Sequence, residues 1–266
     1  MTNIVIATPA LVEAATITAS NEVAAMPAAS LKLRPGANLW RATSLASVYL
    51  EIDLGAAYAI NLIALLYTNA SSAATWRIRG ATSQPNLTAA PGYDSGSLSH
   101  WPVAGLSDWA WTHALKFLDV AQNFRWWRID IDDAANPAGY YQAGRLYIAS
   151  AWQGGRNYDY GIQYGWEDPS EDARTQGGQS VTLDMAQRRV LQFTINNLTE
   201  AEAFANAFEI DRLRGKKRDV LVIPNPTSAA QIMRQTVCGK IEDLSPLAHV
   251  AFPSFGKSYR IVEMLP

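Results

Sequence analysis

Apolar and polar side chains alternate along several short stretches in the first 150 residues. Residues 48–54 and residues 126–132 place an apolar side chain at every second position, with tyrosine, tryptophan, arginine and acidic residues between them. Successive side chains of a strand point to opposite faces of its sheet, so both stretches predict half-buried β-strands. Residues 60–66 are almost continuously apolar, which is typical of a strand covered on both faces. Residues 145–149 predict one more short strand.

Residues 82–112 have weak periodicity and many Gly, Ser, Pro and Asn residues. We therefore expect a long excursion between strands here. Long loops on a rigid sandwich are common sites of recognition. Trp101, Trp109 and Trp111 lie in this excursion rather than in a strand pattern. Each is either part of the sandwich core or an exposed contact residue.

The second half has a different pattern. Residues 191–195 alternate as a strand does, and further strands are predicted at 220–223, near 234–241 and at 258–264. Tyr158, Tyr160, Tyr164 and Trp166 alternate with other residues and predict an amphipathic strand or ribbon. Glycine-rich polar turns surround this ribbon, which places a domain boundary near residue 152.

One helix is predicted over residues 199–214. Thr199 and Glu202 have the spacing of a capping box, in which each side chain accepts a hydrogen bond from the other residue's backbone N–H. The apolar residues that follow gather on one helical face; they are Ala203, Phe204, Ala207, Phe208 and Ile210. Gly215 suits the end of the helix. The predicted fold class is therefore mainly β, with a sandwich over 1–151 and a β-sandwich or barrel with one packed helix over 152–266.

Composition narrows the classes of function. Apolar residues make up 48% of the 266 residues and charged residues 17%, which suits a globular chain. The net charge of −2 provides no basic field for nucleic acid, and no apolar run is long enough to span a bilayer. The N-terminus lacks the pattern of a signal peptide, and Cys238 is the single cysteine. We expect synthesis in a reducing cytosol, with no membrane insertion and no specific nucleic-acid partner.

The sequence contains no recognisable catalytic motif. It has no phosphate-binding glycine loop, no dinucleotide fingerprint and no histidine pair with zinc spacing. We therefore expect no cofactor, no metal and no enzymatic activity. Asp130, Asp132 and Asp133 are either Ca²⁺ ligands or a solvated strand edge, and the sequence favours the strand edge. A glycoside-processing enzyme stays open as an alternative, because sequence cannot show whether two carboxylates face each other across a cleft.

A basic run follows the predicted helix. It contains Arg212, Arg214, Lys216, Lys217 and Arg218. These cations either complement the negative end of the helix or contact acidic groups on a neighbouring subunit. A third interpretation is contact with nucleic acid, either incidental or in a channel through which the nucleic acid passes. The first two interpretations are favoured, and the run is the candidate surface for assembly.

The first-half segments resemble a known family in their order and spacing. The segments are Ile17–Ser20, Trp40–Arg41, Tyr49–Gly55, Trp76–Ile78 and Arg125–Ile129. From about Thr16 to Ala149 the chain resembles the discoidin-type domain, also called the coagulation-factor C-type domain, which is a galactose-binding-like jelly roll. The resemblance implies binding of glycans, lipids or proteins through loops at one end. The family's disulfide and its acidic calcium loop are missing here, so no calcium site is expected.

The resemblance also implies which residues occupy the ligand end. These residues are Asn21, Glu22, Arg41, Tyr67, Asn69, Tyr140 and Tyr141. Tyr140 and Tyr141 would supply an aromatic platform beside Arg41, which is what a sugar site requires. Alternatively, these loops only close the sandwich or touch another subunit.

The second half resembles the hub domain of tailed-phage distal tail proteins in its order of strand, capped helix, strand and strand. Those domains form rings around the tail channel and often carry an appended β-sandwich. The resemblance implies a non-enzymatic virion protein at the tail tip, made in the host cytoplasm. Its partners would be its own copies in a ring, tail-tube, hub and fibre proteins, and a cell-surface glycan. A stand-alone lectin-like carbohydrate-binding protein is the alternative.

Overall fold

The computed structural model describes residues 3–36, 38–102, 111–228 and 230–266. The strands in chain order are β1 Val5–Ala7, β2 Thr16–Ala19, β3 Trp40–Arg41, β4 Val48–Thr68, β5 Thr75–Ala81, β6 Tyr93–Asp94, β7 Leu98–Ser99, β8 Thr112–Asp132, β9 Gln142–Ala143, β10 Arg145–Ala149, β11 Trp152–Gln153, β12 Gln163–Glu167, β13 Glu171–Arg174, β14 Ser180–Leu183, β15 Arg188–Leu198, β16 Asp219–Ile223, β17 Val237–Ile241, β18 Ala248–Ala251 and β19 Ser254–Glu263.

The helices are short. They are α1 Ala10–Ala14, α2 Asn86–Ala89, α3 Glu200–Glu202, α4 Glu209–Arg214 and α5 Ile232–Gln235, with a 3₁₀ turn at Ala28–Lys32 and a π-helical segment at Ala203–Phe208. The chain divides into two compact units. Unit 1 comprises Met1–Gln153, Asp219–Thr236 and Pro266, and unit 2 comprises Gly154–Arg218 and Val237–Leu265. The predicted division at residues 151 and 152 treated the second part as continuous, whereas residues 219–236 cluster with unit 1.

Unit 1 is an antiparallel jelly-roll sandwich built around two long strands, β4 and β8. These strands pair along most of their length, with irregularities between Asp53 and Tyr58 and between Ile60 and Leu62. The first half of β4 also pairs with β2 and its second half pairs with β10, so the two halves of β4 have different neighbours on the side away from β8. Side chains from both halves of β4 meet in a single core with Trp76.

Three short strands complete unit 1. β1 pairs antiparallel with β11 through Val5 and Gln153, and with β16 through Val5 and Ile223. β16 is buried at all five positions, as expected for a strand covered on both faces. The strand predicted at 220–223 is thus confirmed, and it belongs to unit 1.

The alternation predicted for unit 1 is confirmed. Val48, Leu50 and Ile52 are buried while the residues between them are partly exposed. Trp127 and Ile129 likewise face the core, while Arg128 does not. The predicted excursion over 82–112 contains α2, β6 and β7, and β6 and β7 both pair with β5.

Two of the three tryptophans in this excursion lie within the described residues. Trp101 packs against the core and its Nε1 donates a hydrogen bond to the Ala70 carbonyl at 2.8 Å. Trp111 is partly buried. Trp109 lies outside the described residues.

Unit 2 contains an antiparallel sheet in which β17, β19, β15 and β12 are neighbours in that order. β18 also pairs with β19. Leu191, Phe193 and Ile195 of β15 are buried and alternate with more exposed residues, which confirms the predicted strand. Two regions differ from expectation. The predicted strand is present at 163–167, but four of its five residues are exposed, so it does not bury one face. In the predicted strand near 234–241, the first residues belong to the end of α5 and β17 begins at Val237.

The predicted helix is present and begins at the predicted capping box. Thr199 Oγ1 accepts from the backbone N–H of Glu202 at 3.2 Å, and Glu202 accepts from the backbone N–H of Thr199 at 3.0 Å. The helix ends at Gly215, whose φ of 52° lies in the left-handed region that glycine adopts readily. Helical residues continue from Glu200 to Arg214 in three consecutive segments.

The helix buries a narrower face than its sequence predicts. Ala203, Ala207 and Ile210 are buried, whereas Phe204 and Phe208 are about half exposed. The small alanines lie against the sheet, and the two phenylalanine rings lie beside each other with centroids 6.0 Å apart. The π-helical segment at 203–208 departs from the 3.6-residue period on which the predicted face was based.

Candidate functional site

The predicted ligand-end residues of unit 1 fall into two groups. Tyr67 and Tyr141 belong to the core and are 1% and 0% exposed, so Tyr141 does not contribute to the predicted aromatic platform and Tyr67 does not face a ligand. Tyr67 packs edge-on against His113, and the Tyr141 hydroxyl lies 2.7 Å from His100 Nε2. Both positions are aromatic because the core requires volume there. Local sequence shows an aromatic residue near a strand end, but it does not show which way the ring points.

Three other predicted residues lie together at the loop end. The Arg41 guanidinium stacks 4.0 Å from the centroid of the Tyr140 ring and donates to Gln142 Oε1 at 2.9 and 3.2 Å. Asn69 donates to the Tyr140 carbonyl at 2.9 Å and accepts from the Gln142 backbone N–H at 2.8 Å. These polar groups therefore hold the loops to one another, and Arg41 covers one face of the Tyr140 ring.

Asn21 and Glu22 also brace loops. Asn21 Oδ1 accepts from the backbone N–H of Thr43 at 2.7 Å and of Ser44 at 3.2 Å. Glu22 Oε2 accepts from the backbone N–H of Ala28 at 2.7 Å. Both side chains thus connect neighbouring loop segments of unit 1.

The acidic cluster near residue 130 divides into separate roles. Asp130 accepts from Arg79 Nη2 at 2.6 Å and from Arg128 Nε at 2.8 Å. Asp133 is buried and accepts from Ser71 and from Asn136 Nδ2, the latter at 2.7 Å. Within the described ranges, no group of three or more His, Cys, Asp or Glu side chains is arranged to hold a metal ion.

Sequence reasoning missed a charged ladder on the outer face of the unit 1 sheet. Tyr49 pairs with Asp130, and Asp130 also pairs with Arg77 on its other side. Two residues earlier on β8, Arg128 lies between Glu51 of β4 and Arg79 of β5, and its Nη1 donates to Glu51 Oε1 at 2.8 Å. The signal was present as the polar positions of the alternating strands. Only strand pairing shows that opposite charges face each other.

Ion pairing favours the charged forms of Asp53, Asp94 and Arg128 on these strands. The Arg77 guanidinium lowers the pKa of Asp94 to about 2, and the hydrogen bonds from Arg125 lower the pKa of Asp53. Burial lowers the pKa of Arg128, but hydrogen bonds to Asp130 and Glu51 outweigh it and the net pKa is raised. These shifts widen the pH range over which Asp53, Asp94 and Arg128 carry their charges.

The predicted assembly cations lie mostly on the surface of unit 2. Arg212, Lys216, Lys217 and Arg218 are exposed, and Lys216 Nζ lies 3.4 Å from Asp243 Oδ1. Arg214 is 3% exposed and does not belong to this surface, because its position on α4 faces inward.

Large exposed apolar side chains are concentrated in unit 2. The described residues include fifteen such side chains, and twelve of them lie in the smaller unit. The twelve are Tyr160, Tyr164, Trp166, Val181, Leu183, Met185, Phe204, Phe208, Leu213, Leu244, Val250 and Phe252. Phe252 is 92% exposed and Trp166 is 62% exposed. This concentration makes unit 2 the candidate region for contact with another surface.

Strands β13 and β14 form a hairpin that is exposed at every residue. Val181 pairs with Ala173, and Leu183 pairs with Glu171, so these four side chains share one face. A two-stranded hairpin is marginally stable in water without further packing. The apolar face of this hairpin is thus suited to contact with another surface.

No helix in the described part of the chain combines the length and apolar character needed to cross a bilayer. No family model matches the chain, and no curated protein matches it.

Solved structures similar to part of the chain include carbohydrate-binding modules. The family 32 module of C. perfringens NanJ, in complex with galactose, is 15% identical with a TM-score of 0.40, covering 54% of this chain and 98% of that one. A module from Clostridium perfringens, CpGH89CBM32-5, in complex with GalNAc-β-1,3-galactose, is 12% identical with a TM-score of 0.41, covering 54% and 99%. A Ruminococcus gnavus GH29 fucosidase in complex with fucose is 9% identical with a TM-score of 0.40. That match covers 53% of this chain and 26% of the fucosidase chain.

Proposed function

We propose that the chain is a non-enzymatic structural protein that assembles through unit 2 into a homo-oligomeric ring at the tail tip of a long-tailed phage. The sandwich of unit 1 would project outward and contact a cell-surface glycan or a fibre protein. The concentration of exposed apolar side chains in unit 2 is the observation that supports assembly. The tail-tip location rests on the order of sequence elements that resembles distal tail proteins.

Unit 2 offers two exposed surfaces of different chemistry. The hairpin surface comprises Val181, Leu183 and the acidic residue Glu171 on one face of the hairpin, with Asp172 on its other face. The helix surface comprises Phe204, Phe208 and Leu213 with the cations Arg212, Lys216, Lys217 and Arg218. Both surfaces pair apolar side chains with charge, and the charges are opposite. Two different complementary patches support a head-to-tail contact, which closes into a ring when the rotation between copies permits it.

Contact between these two surfaces would also explain the hairpin. Its apolar face would pack on the phenylalanine rings of the next copy, and Glu171 on the same face would meet the cations at the end of α4. Opposite charges at the rim of such a contact set its orientation more than its strength. Repeating a modest glycan contact around the ring would then raise the avidity of the whole assembly.

The first test is the solution mass of the full 29.1 kDa chain by light scattering across a concentration series. We expect mass to rise toward a ring-sized oligomer. Phe204→Ser with Phe208→Ser should shift the chain to monomer, because these changes remove apolar area from the helix surface. The matched control is Val120→Ser, which removes an exposed valine from unit 1 and should leave the mass unchanged.

Charge reversal tests the head-to-tail pairing itself. Glu171→Lys with Asp172→Lys should weaken association, and Lys216→Glu with Lys217→Glu should do the same. A chain with all four changes restores opposite charges across the contact and should associate again. A wild-type chain that stays monomeric at high concentration and is absent from virions would refute the ring. Association that is unchanged by either pair of charge reversals would refute this pairing.

The alternative is a stand-alone lectin-like protein. It would be favoured by a monomeric chain that binds glycan with no tail protein present.

A further inference from the structure

A groove of 320 Å³ lies on the outer face of the unit 1 sheet. It crosses the ends of β4, β8 and β5, near the loop that precedes β7. The strand alternation that buries Leu50 and Ile129 in the core turns Tyr49 and Asp130 outward, toward the groove. Its volume falls within the range of clefts that hold small ligands.

The base of the groove is held in one arrangement. The Arg128 guanidinium lies 3.5 Å from the centroid of the Tyr49 ring and donates through Nε to Asp130 at 2.8 Å. Asp130 also accepts from Arg79, and Arg128 donates to Glu51. Each charge therefore has a fixed partner, so a ligand would meet side chains that are already positioned.

The walls, in contrast, carry polar groups that form no side-chain hydrogen bond within the described part of the chain. These groups are the Asp132 carboxylate and the hydroxyls of Ser47, Thr75 and Ser97. Arg77 gives its Nε and Nη2 donors to Asp94, and Nη1 is its remaining donor group. Acceptor, donor and hydroxyl groups thus line one groove together.

Ser47 adds an independent observation. Its φ of 51° places a non-glycine residue in the left-handed region. Such conformations cost free energy and are found disproportionately at ligand sites, where the surrounding structure maintains them. The residue lies immediately before β4, at the rim of the groove.

The charges of the lining define the class of ligand. Arg77 and Arg128 contribute two positive charges, while Asp130 and Asp132 contribute two negative charges, so the groove has no net charge to attract an anion or a cation. A ligand with many hydroxyls satisfies both kinds of group, because each hydroxyl can donate to a carboxylate and accept from a guanidinium. We propose that this groove binds a neutral saccharide, with Asp132 accepting from its hydroxyls and Arg77 donating to them.

This inference deepens the glycan-contact part of the proposed function and is independent of the ring. It assigns the sugar to the side of the sandwich, whereas the loop-end residues Arg41, Asn69 and Tyr140 engage one another. Arg128 covers one face of the Tyr49 ring, so that face is not open for stacking on a sugar. Affinity per copy is therefore expected to be modest.

The test is a glycan array with neutral and sialylated oligosaccharides, followed by NMR titration of the full chain with lactose, maltose, cellobiose and sialyllactose. We expect a neutral sugar to shift the amide signals of Thr75, Arg77 and Ser97, and sialyllactose to bind more weakly than lactose. Asp132→Ala should weaken binding about tenfold, since a hydrogen bond to a charged group is lost. Thr75→Val should weaken it less.

Asp119→Ala is the matched control, because Asp119 is another exposed aspartate on β8 that does not line the groove. It should leave binding unchanged. The proposal is overturned if no neutral sugar binds, or if Arg41→Ala abolishes binding while Asp132→Ala does not. Repeating the titration on the Phe204→Ser, Phe208→Ser chain separates the two proposals. Amide shifts at the groove that persist in this variant, in the absence of oligomers, support the saccharide site without the ring. A wild-type chain that forms oligomers but shows no amide shifts at the groove supports the ring without the saccharide site.

Discussion

The guanidinium of Arg145 donates hydrogen bonds from Nε and Nη2 to the two carboxylate oxygens of Asp219, at 2.8 and 3.0 Å. Both side chains are buried within unit 1, at 0% and 1% exposure. Tyr147 donates a third hydrogen bond to Asp219 at 2.6 Å, and Glu13 accepts from Arg145 Nη2 at 2.9 Å. This network connects strand β10 to strand β16, which are distant in sequence.

Arg145→Met should destabilise unit 1 by about 3–5 kcal/mol, because removing one partner leaves the Asp219 carboxylate buried without its counter-charge. Urea unfolding followed by tryptophan fluorescence measures this loss. Arg125→Met is the control, since Arg125 forms a bidentate pair with Asp53 at the surface and screening by water weakens such pairs. Equal losses for the two variants would contradict the importance of burial.

His100 should make unit 1 less stable as the pH falls below neutrality. Burial lowers the pKa of His100 to about 3, from the usual histidine value of about 6.5. Between these values the unfolded chain binds a proton that the folded chain does not, so stability falls as the pH falls through that window. The slope from this group reaches about 1.4 kcal/mol per pH unit.

The measurement is the urea unfolding free energy at several pH values from 7 to 4. His100→Gln should flatten the slope in this window, because the replacement does not titrate. Tyr141→Phe removes the hydroxyl that lies 2.7 Å from His100 Nε2, but it keeps the imidazole and should keep the slope. An unchanged slope in His100→Gln would show that another group controls the pH dependence.

Gly239→Ala should disrupt the sheet of unit 2. A Cβ at Gly239 would lie 2.1 Å from the Val262 carbonyl oxygen, and backbone cannot move away without breaking the pairing of β17 with β19. We expect a loss of about 1–3 kcal/mol or more, as for other overpacked sites. Faster hydrogen exchange at Lys240 and Ile261 would report it locally.

Gly165→Ala is the matched control for this prediction. Gly165 also lies in a strand of unit 2, but a Cβ there meets no atom within 4 Å. Hydrogen exchange should be unchanged or slower in this variant, because alanine restricts the unfolded chain. Similar effects at Gly239 and Gly165 would refute the steric explanation.

Local patterns predicted the elements of this chain because they depend on backbone geometry alone. The period-two alternation of residues 48–54 identified the half-buried strand β4, and the Thr199–Glu202 spacing identified the start of the helix. The same reasoning did not identify which apolar residues stay exposed. Phe204 and Phe208 fit the predicted buried face, yet about half of each side chain remains exposed.

The candidate site was the least predictable part from sequence. Tyr67 and Tyr141 were expected at the ligand end, and both are buried in the core. Arg41, Asn69 and Tyr140 were expected together, and they do lie together, although their polar groups bind one another. The groove beside Asp132 depends on which strands are neighbours, and that information is absent from any single stretch of sequence.

By itself, the sequence determined the mainly β class, the alternating strands and the capped helix, because each depends on residues close together in the chain. Tertiary structure alone decided that β1 pairs with β16 and that Arg145 meets Asp219. It also decided that opposite charges on β4, β8 and β5 face one another across the sheet. The physical reason is that burial, charge pairing and register arise between distant segments, after the loops that separate them have closed.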